Sequence, residues 1–426
     1  MKKEILNYIL IIGISLTMVV PNIRSLDQMI PEFIYYGILT ALSLGYITFF
    51  GLGSIHTRSL AKSPLSISIL VFFSISVLSL FFAVNKYESM IGLSKYLIII
   101  TSVYALSILM KNIKPTSFFI LIISLLFIET TKVLYEFFKL YDFQAPLVRH
   151  PYYAGFAANV NVTAFSILFK LPFLVLFFQK ENVSRFIKIF LILLFSSSFF
   201  GILICFSRGA LIAFIISAAL YISYFFFFRF KMINYWYKKV GMIFLTAIFT
   251  FGFYTFLFQN AQNSNLGNRI TSFDLEDSTS SINFRITYYK NAFQAMLDQP
   301  LTGYGIENWK IVSIKYAKDL MQYYQVPYHA HNDFLQIGAE TGIIGFLSYI
   351  FIFLYLFYQL IKRISQEDKI HFDKDKYLPF ILCILIYCLD SSINFPRARP
   401  VNIINLSLVI GFLMSKNFKL DAHENI

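Results

Sequence analysis

The sequence predicts an all-α polytopic membrane protein of about twelve transmembrane helices, interrupted by one large, partly helical loop. Three observations predict it. Only 14% of the 426 residues are charged, whereas soluble domains carry about 25%. Apolar runs of about 20 residues, the length needed to cross a hydrocarbon core of about 30 Å, recur from end to end. Lys and Arg gather in alternate connections between those runs, as the positive-inside rule expects. Topology therefore accounts for the formal charge of +13, and nucleic acid is not expected as a partner.

In chain order the spans are predicted at 5–21, 32–50, 65–83, 91–110, 117–139, 156–178, 186–204, 209–228, 239–258, 341–361, 377–393 and 399–415. The first follows Lys2 and Lys3 and resembles a signal sequence, but no small-x-small cleavage pattern follows it, so it is expected to stay as a helix. The seventh and eighth form one apolar run, broken at Ser207-Arg208-Gly209, where a charge beside a Gly marks the turn. The division is thus 1–258 with nine spans, 259–340 as the loop, and 341–426 with three spans and a tail, all one integral domain. One set of connections holds Lys2 and Lys3, Arg58 and Lys62, Lys111 and Lys114, and the basic residues near 185, 235 and 369. That set is expected in the cytoplasm with both termini. The Arg208 turn, the long loop and the Arg397/Arg399 turn then share the outer face.

Within the loop, Ile282, Ile286, Tyr289, Phe293 and Met296 fall at helical spacing and stop before Pro300. Leu301-Thr302-Gly303-Tyr304-Gly305 reads as a turn, and Glu307 to Tyr323 as a second helix. The pair is expected to lie over the bundle as a lid. Cys205, Cys383 and Cys388 lie in or beside apolar spans without CxxC spacing, which suggests neither a disulfide framework nor a zinc site.

The chemistry-bearing residues are few. Arg208 sits at membrane depth, where an Arg costs about 2.5–3.5 kcal/mol on insertion scales. It either snorkels to headgroups or faces a cavity as an anion clamp, since guanidinium stays charged and forks onto phosphate oxygens. Arg285 opens the first loop helix on the same side. His331 and His329 flank Ala330 at the lip of the tenth span, with no third ligand at metal spacing. A neutral imidazole is the usual group for taking a proton from a hydroxyl near pH 7. Asn332 or Asp333 is expected to cap the helix that follows, and Gly342 and Gly345 to let it pack closely. Asn159, Asn161, Lys170, Asp390 and the Glu129/Lys132/Glu136 set are further intramembrane polar groups. Glu129 and Lys132 are spaced to neutralise each other. The first outer loop offers only Asp27 and Glu32, and Asp274-Leu275-Glu276-Asp277 reads as a solvated turn. An arginine-based site without metal or other cofactor is expected.

The sequence His331-Asn332, nine residues, Gly342-x-x-Gly345, with Arg285, Pro300-Leu301-Thr302-Gly303-Tyr304-Gly305 and Ser207-Arg208-Gly209 upstream, resembles the O-antigen ligase/polymerase superfamily, the WaaL/Wzy type of membrane glycosyltransferases. One departure is Asn159-Val160-Asn161, where many members have Asn-Pro-Asn. The resemblance implies a GT-C-like architecture with its large loop in the periplasm of a bacterial inner membrane. It also implies transfer of a glycan from undecaprenyl diphosphate to an acceptor hydroxyl, by metal-independent inverting displacement. His331 would be the general base, while Arg208 and Arg285 hold the diphosphate. Asn332, Arg397 and Arg399 are candidate substrate contacts, the two arginines for an anionic acceptor. The acceptor is lipid A–core for a ligase or a second lipid-linked glycan for a polymerase. A transporter of polysaccharide or lipid with no chemistry of its own is the alternative of a different class, although no six-plus-six repeat is visible.

Overall fold

The structure is a computed structural model that describes residues 2–21, 29–52, 63–140, 153–180, 183–229, 233–258, 281–318, 326–366 and 372–416. Asp27, Arg58, Lys62 and the Asp274–Asp277 cluster lie outside the described residues. Every predicted run is helical. The helices are α1 (Lys2–Ser15), α2 (Ile30–Phe49), α3 (Pro64–Ser79), α4 (Lys86–Leu109), α5 (Pro115–Leu140), α6 (Val160–Phe178), α7 (Arg185–Ile204), α8 (Arg208–Arg229) and α9 (Ile233–Phe258). The series continues with α10 (Ser281–Asp298), α11 (Trp309–Tyr316), α12 (Asp333–Gln366), α13 (Leu378–Ile393) and α14 (Pro400–Ser415). Ten of the described helices are long and apolar enough to cross a membrane. The count differs from twelve at the two ends, where α1 has 14 residues and α14 has 16.

Helix starts follow capping chemistry. Asn85 caps α4 by accepting from the backbone N–H groups of Tyr87 and Glu88, and Ser63 caps α3 with Pro64 behind it. Asn159 caps α6 through Asn161 and Val162 N–H, so the Asn-Val-Asn sequence begins a helix there. Each cap satisfies donors that a helix's first turn leaves without an internal partner.

Contacts divide the chain into two compact units. The first comprises Met1–Asn112, Asp274–Lys362 and Asp390–Lys419. In it α14 packs along α4, which also meets α2 and α3. The Tyr36 hydroxyl bonds both Ser102 and Ser407, joining α2, α4 and α14. The second unit comprises Ile113–Phe273, Arg363–Leu389 and Leu420–Ile426. Its core is aromatic, with the rings of Phe118, Phe119, Phe173 and Phe380 in mutual contact. Glu129 does not neutralise Lys132. It pairs across helices with Lys170 at 2.6 Å, both side chains fully buried, while Lys132 takes Glu136 one turn on at 2.9 Å. A charge with no water nearby takes the partner that leaves neither group uncompensated, even on another helix.

The feature that shapes the first unit is a break in α12. Gly342 has φ 75° and ψ −176°, a region essentially closed to residues with a Cβ. The helical bond from Ile343 to Ala339 is therefore lost. The turn 300–305 supplies the missing partners: Ile343 N–H donates to the Pro300 carbonyl at 2.7 Å. The carbonyls of Ala339 and Glu340 accept from Tyr304 and Gly305 N–H at 3.0 and 2.9 Å. Close approach is the reason for the glycines. A Cβ at Gly342 would lie 2.6 Å from Pro300 O, and one at Gly303 would lie 2.3 Å from Glu340 C. Gly342→Ala is expected to cost about 1–3 kcal/mol or more and to lower Tm in detergent by several degrees. An unchanged Tm would mean that the turn is not held by this break.

Candidate functional site

Asn332 and Asp333 divide the work at the start of α12. Asn332 Oδ1 accepts from Leu335 N–H at 3.0 Å and is the cap. That leaves the Asp333 carboxylate free to turn toward the 396–399 segment, where Oδ2 accepts from Arg397 N–H at 3.0 Å and Oδ1 from Arg397 Nε at 3.3 Å. The helix starts eight residues before the apolar run, because its first turns are buried in protein rather than lipid.

Arg397 is the hub of this region. Its buried guanidinium donates to Tyr96 Oη at 2.5 Å and Glu340 Oε2 at 3.3 Å, with Glu307 Oε1 3.9 Å away. Burial opposes its charge, but Tyr96 and the three carboxylates outweigh that and raise its pKa well above the usual arginine value. Within the protein, Nε, Nη1 and Nη2 of Arg397 each donate one hydrogen bond, to Asp333, Tyr96 and Glu340. Glu340 passes the linkage on: its Oε1 accepts from Gln336 Nε2 at 2.9 Å, and Gln336 Oε1 accepts from Ala330 N–H at 3.1 Å. Ala330 is the residue between the two histidines.

His331 is thereby held from its backbone. It has φ 54°, a left-handed conformation uncommon for a residue with a side chain. Its ring stacks on Tyr288 of α10, centroids 6.0 Å apart and 21° between planes, and meets Phe395 edge-on at 5.1 Å. Nδ1 is buried without a hydrogen-bond partner. Burial first, and the charge of Arg285 second, push the imidazole pKa down to about 4. The ring is neutral at pH 7. His329 stacks on Phe395 at 4.2 Å and 15°; burial, Arg397, Arg399, His331 and Lys310 hold its pKa well below the ordinary histidine value. The Arg399 guanidinium lies 5.2 Å from the same phenyl ring. Phe395 is thus the wall shared by both imidazoles and one guanidinium. In the sequence it was only an aromatic residue before a proline.

Of the expected site residues, His331, Arg285, Asn332, Arg397 and Arg399 belong to the first unit, with Arg285 half-buried on α10. Arg208 belongs to the second. It heads α8 after Phe206, which has φ 50°, and Ser207, so the turn falls where the sequence placed it. Further along α8, a cavity of about 140 Å³ is lined by apolar side chains including Leu171, Phe195, Phe214, Tyr221, Val240 and Phe244.

The fold defines a multi-pass, all-helical membrane protein. Residues 189–350 match the family model described as O-antigen ligase, a stretch that contains Arg208, Arg285, His331, Gly342 and Gly345. Over that stretch the chain is similar to the O-antigen ligase family. It is similar to a protein of Rickettsia conorii named "Putative polysaccharide ligase", with 33% identity over 92 residues, 20% of this chain and 21% of that one. A protein of the same name from Rickettsia felis is 31% identical over 87 residues, 20% of each chain. The chain spans about a fifth of the length of these curated relatives.

Proposed function

We propose that the protein transfers a glycan from undecaprenyl diphosphate to a hydroxyl of lipid A–core, at the periplasmic face of a bacterial inner membrane with both termini cytoplasmic. The observation that carries this reading is the frame around His331: a backbone-locked, neutral imidazole beside Arg285. In the proposed reaction His331 removes the proton from the acceptor hydroxyl as its oxygen attacks the anomeric carbon and the bond to the diphosphate breaks, with inversion. Arg285 holds the departing diphosphate, the work a metal does elsewhere, and Arg208 is a second candidate cation for an anionic donor.

Arg285 links the two halves of the chemistry. Burial first, and the positive charge of Arg285 second, hold the basicity of His331 down. A diphosphate on Arg285 offsets that charge and returns basicity to the imidazole when the donor is present. The test is transfer by purified protein from a defined undecaprenyl-diphosphate glycan, with and without EDTA, offered lipid A–core or a second lipid-linked unit. Product on lipid A–core, undiminished by EDTA, is expected. Growth of the lipid-linked chain alone would make the protein a polymerase, and no product with either acceptor would remove the enzymatic reading.

A further inference from the structure

The helix α10 has two apolar faces, and only one of them is covered. Tyr288, Ala292, Ala295 and Met296 are buried, on the side of the helix that meets His331 through Tyr288. On the other side Ile286, Phe293 and Leu297 are 39%, 48% and 47% exposed. At 100° per residue these three fall within roughly 40° of one another. Lys290 and Gln294, both exposed, flank them. With Arg285, Lys290 and Asp298 in its 18 residues, the helix is too polar to span a bilayer.

The uncovered stripe does not end with the helix. Leu301, just beyond it, is 72% exposed, and its neighbour Pro300 accepts the hydrogen bond from Ile343 at the α12 break. Past that break α12 exposes Ile344, Leu347, Phe351, Leu354, Tyr358 and Ile361. Their spacing of three and four is that of one face of a helix, and on a membrane-spanning helix that face meets lipid. One apolar surface therefore runs from the lipid-facing side of α12, over Leu301, onto the outer side of α10. A protein partner would have to cover a strip that continues into the bilayer; lipid covers both parts at once.

We propose that α10 lies in the membrane interface, with Phe293, Leu297 and Leu301 immersed at the boundary between headgroups and acyl chains and Lys290 among the headgroups. Such helices sit about 5–10 Å into that boundary. The arrangement fixes the depth of Tyr288 on the opposite side of the same helix, and of Arg285 on its flank, at the level of lipid phosphates. It does not depend on the reaction proposed above.

The test uses full-length protein in lipid vesicles, with Cys205, Cys383 and Cys388 replaced by alanine. A fluorescent probe is attached at Phe293→Cys or Leu297→Cys, with Leu347→Cys as the lipid reference and Lys318→Cys as the water reference. Only labelled proteins that keep the parent's Tm are read. Quenching at 293 and 297 by spin-labelled lipids is expected to be about twofold greater with the label near the headgroups than at the bilayer centre, as depth at the boundary requires. Quenching by aqueous iodide matching position 318 would overturn the proposal. Protection from both quenchers would also overturn it, and would assign the stripe to a protein contact.

Discussion

His331→Asn is expected to lower the rate of glycan transfer by about 10²–10⁴-fold, the usual contribution of a positioned general base. Asn is the informative replacement because it tolerates the left-handed backbone that position 331 requires. The variant should insert normally and keep its Tm, separating chemistry from folding. The pH dependence has a definite sign. The folded chain keeps this imidazole neutral down to about pH 4, so kcat/KM of the wild type should fall only as pH approaches that value. The unfolded chain protonates it near 6.5. The unfolded state thus binds more protons between about 4 and 6.5, and acidification through that window costs the wild type stability. His331→Asn should lack that cost, which thermal unfolding at pH 7 and pH 5 would show. Transfer within a factor of two or so of wild type would exclude His331 from catalysis.

The second large effect concerns stability. Arg397→Met leaves the Asp333 and Glu340 carboxylates, both about 1% exposed, without their counter-charge. Breaking a buried pair in this way costs about 3–5 kcal/mol. Lys should not restore it, because a single ammonium cannot replace a guanidinium that uses Nε, Nη1 and Nη2 toward different partners. Neutralising the acids together with the arginine, as in Arg397→Met with Asp333→Asn and Glu340→Gln, should recover most of the loss. A Tm for Arg397→Met equal to that of the wild type would show that the network holds nothing in place. Because Glu340 leads through Gln336 to Ala330, the single variant should also lower transfer, by disturbing the backbone that aims His331.

The membrane helices were legible because their signal is cumulative: twenty apolar residues in a row report burial in lipid whatever the neighbours are. The first loop helix was legible from the spacing of Ile286, Phe293 and Met296. The second ends at Tyr316, short of the predicted end at Tyr323, and residues 319–323 lie outside the described residues. The internal polar network was not legible. The sequence offers Arg397, with Arg399, as a contact for an anionic acceptor, and only the folded chain shows that Asp333, Glu340 and Glu307, scattered over more than 30 residues, surround it. Glu129 followed the same pattern. Sequence spacing offered Lys132 on its own helix, and the fold chose Lys170 from another. Long-range pairing of single charges leaves no periodic trace, whereas burial of whole faces does.

The broken helix α12 also bears on how the chain is made. Were it threaded into lipid alone, the two carbonyls and one amide freed at Gly342 would face hydrocarbon without partners, at several kcal/mol for each group. The segment that satisfies them, 300–305, lies upstream and leaves the ribosome first. Synthesis order thus delivers the plug before the gap, and a circular rearrangement that reversed that order would leave the nascent span to wait, half-satisfied, inside the bilayer.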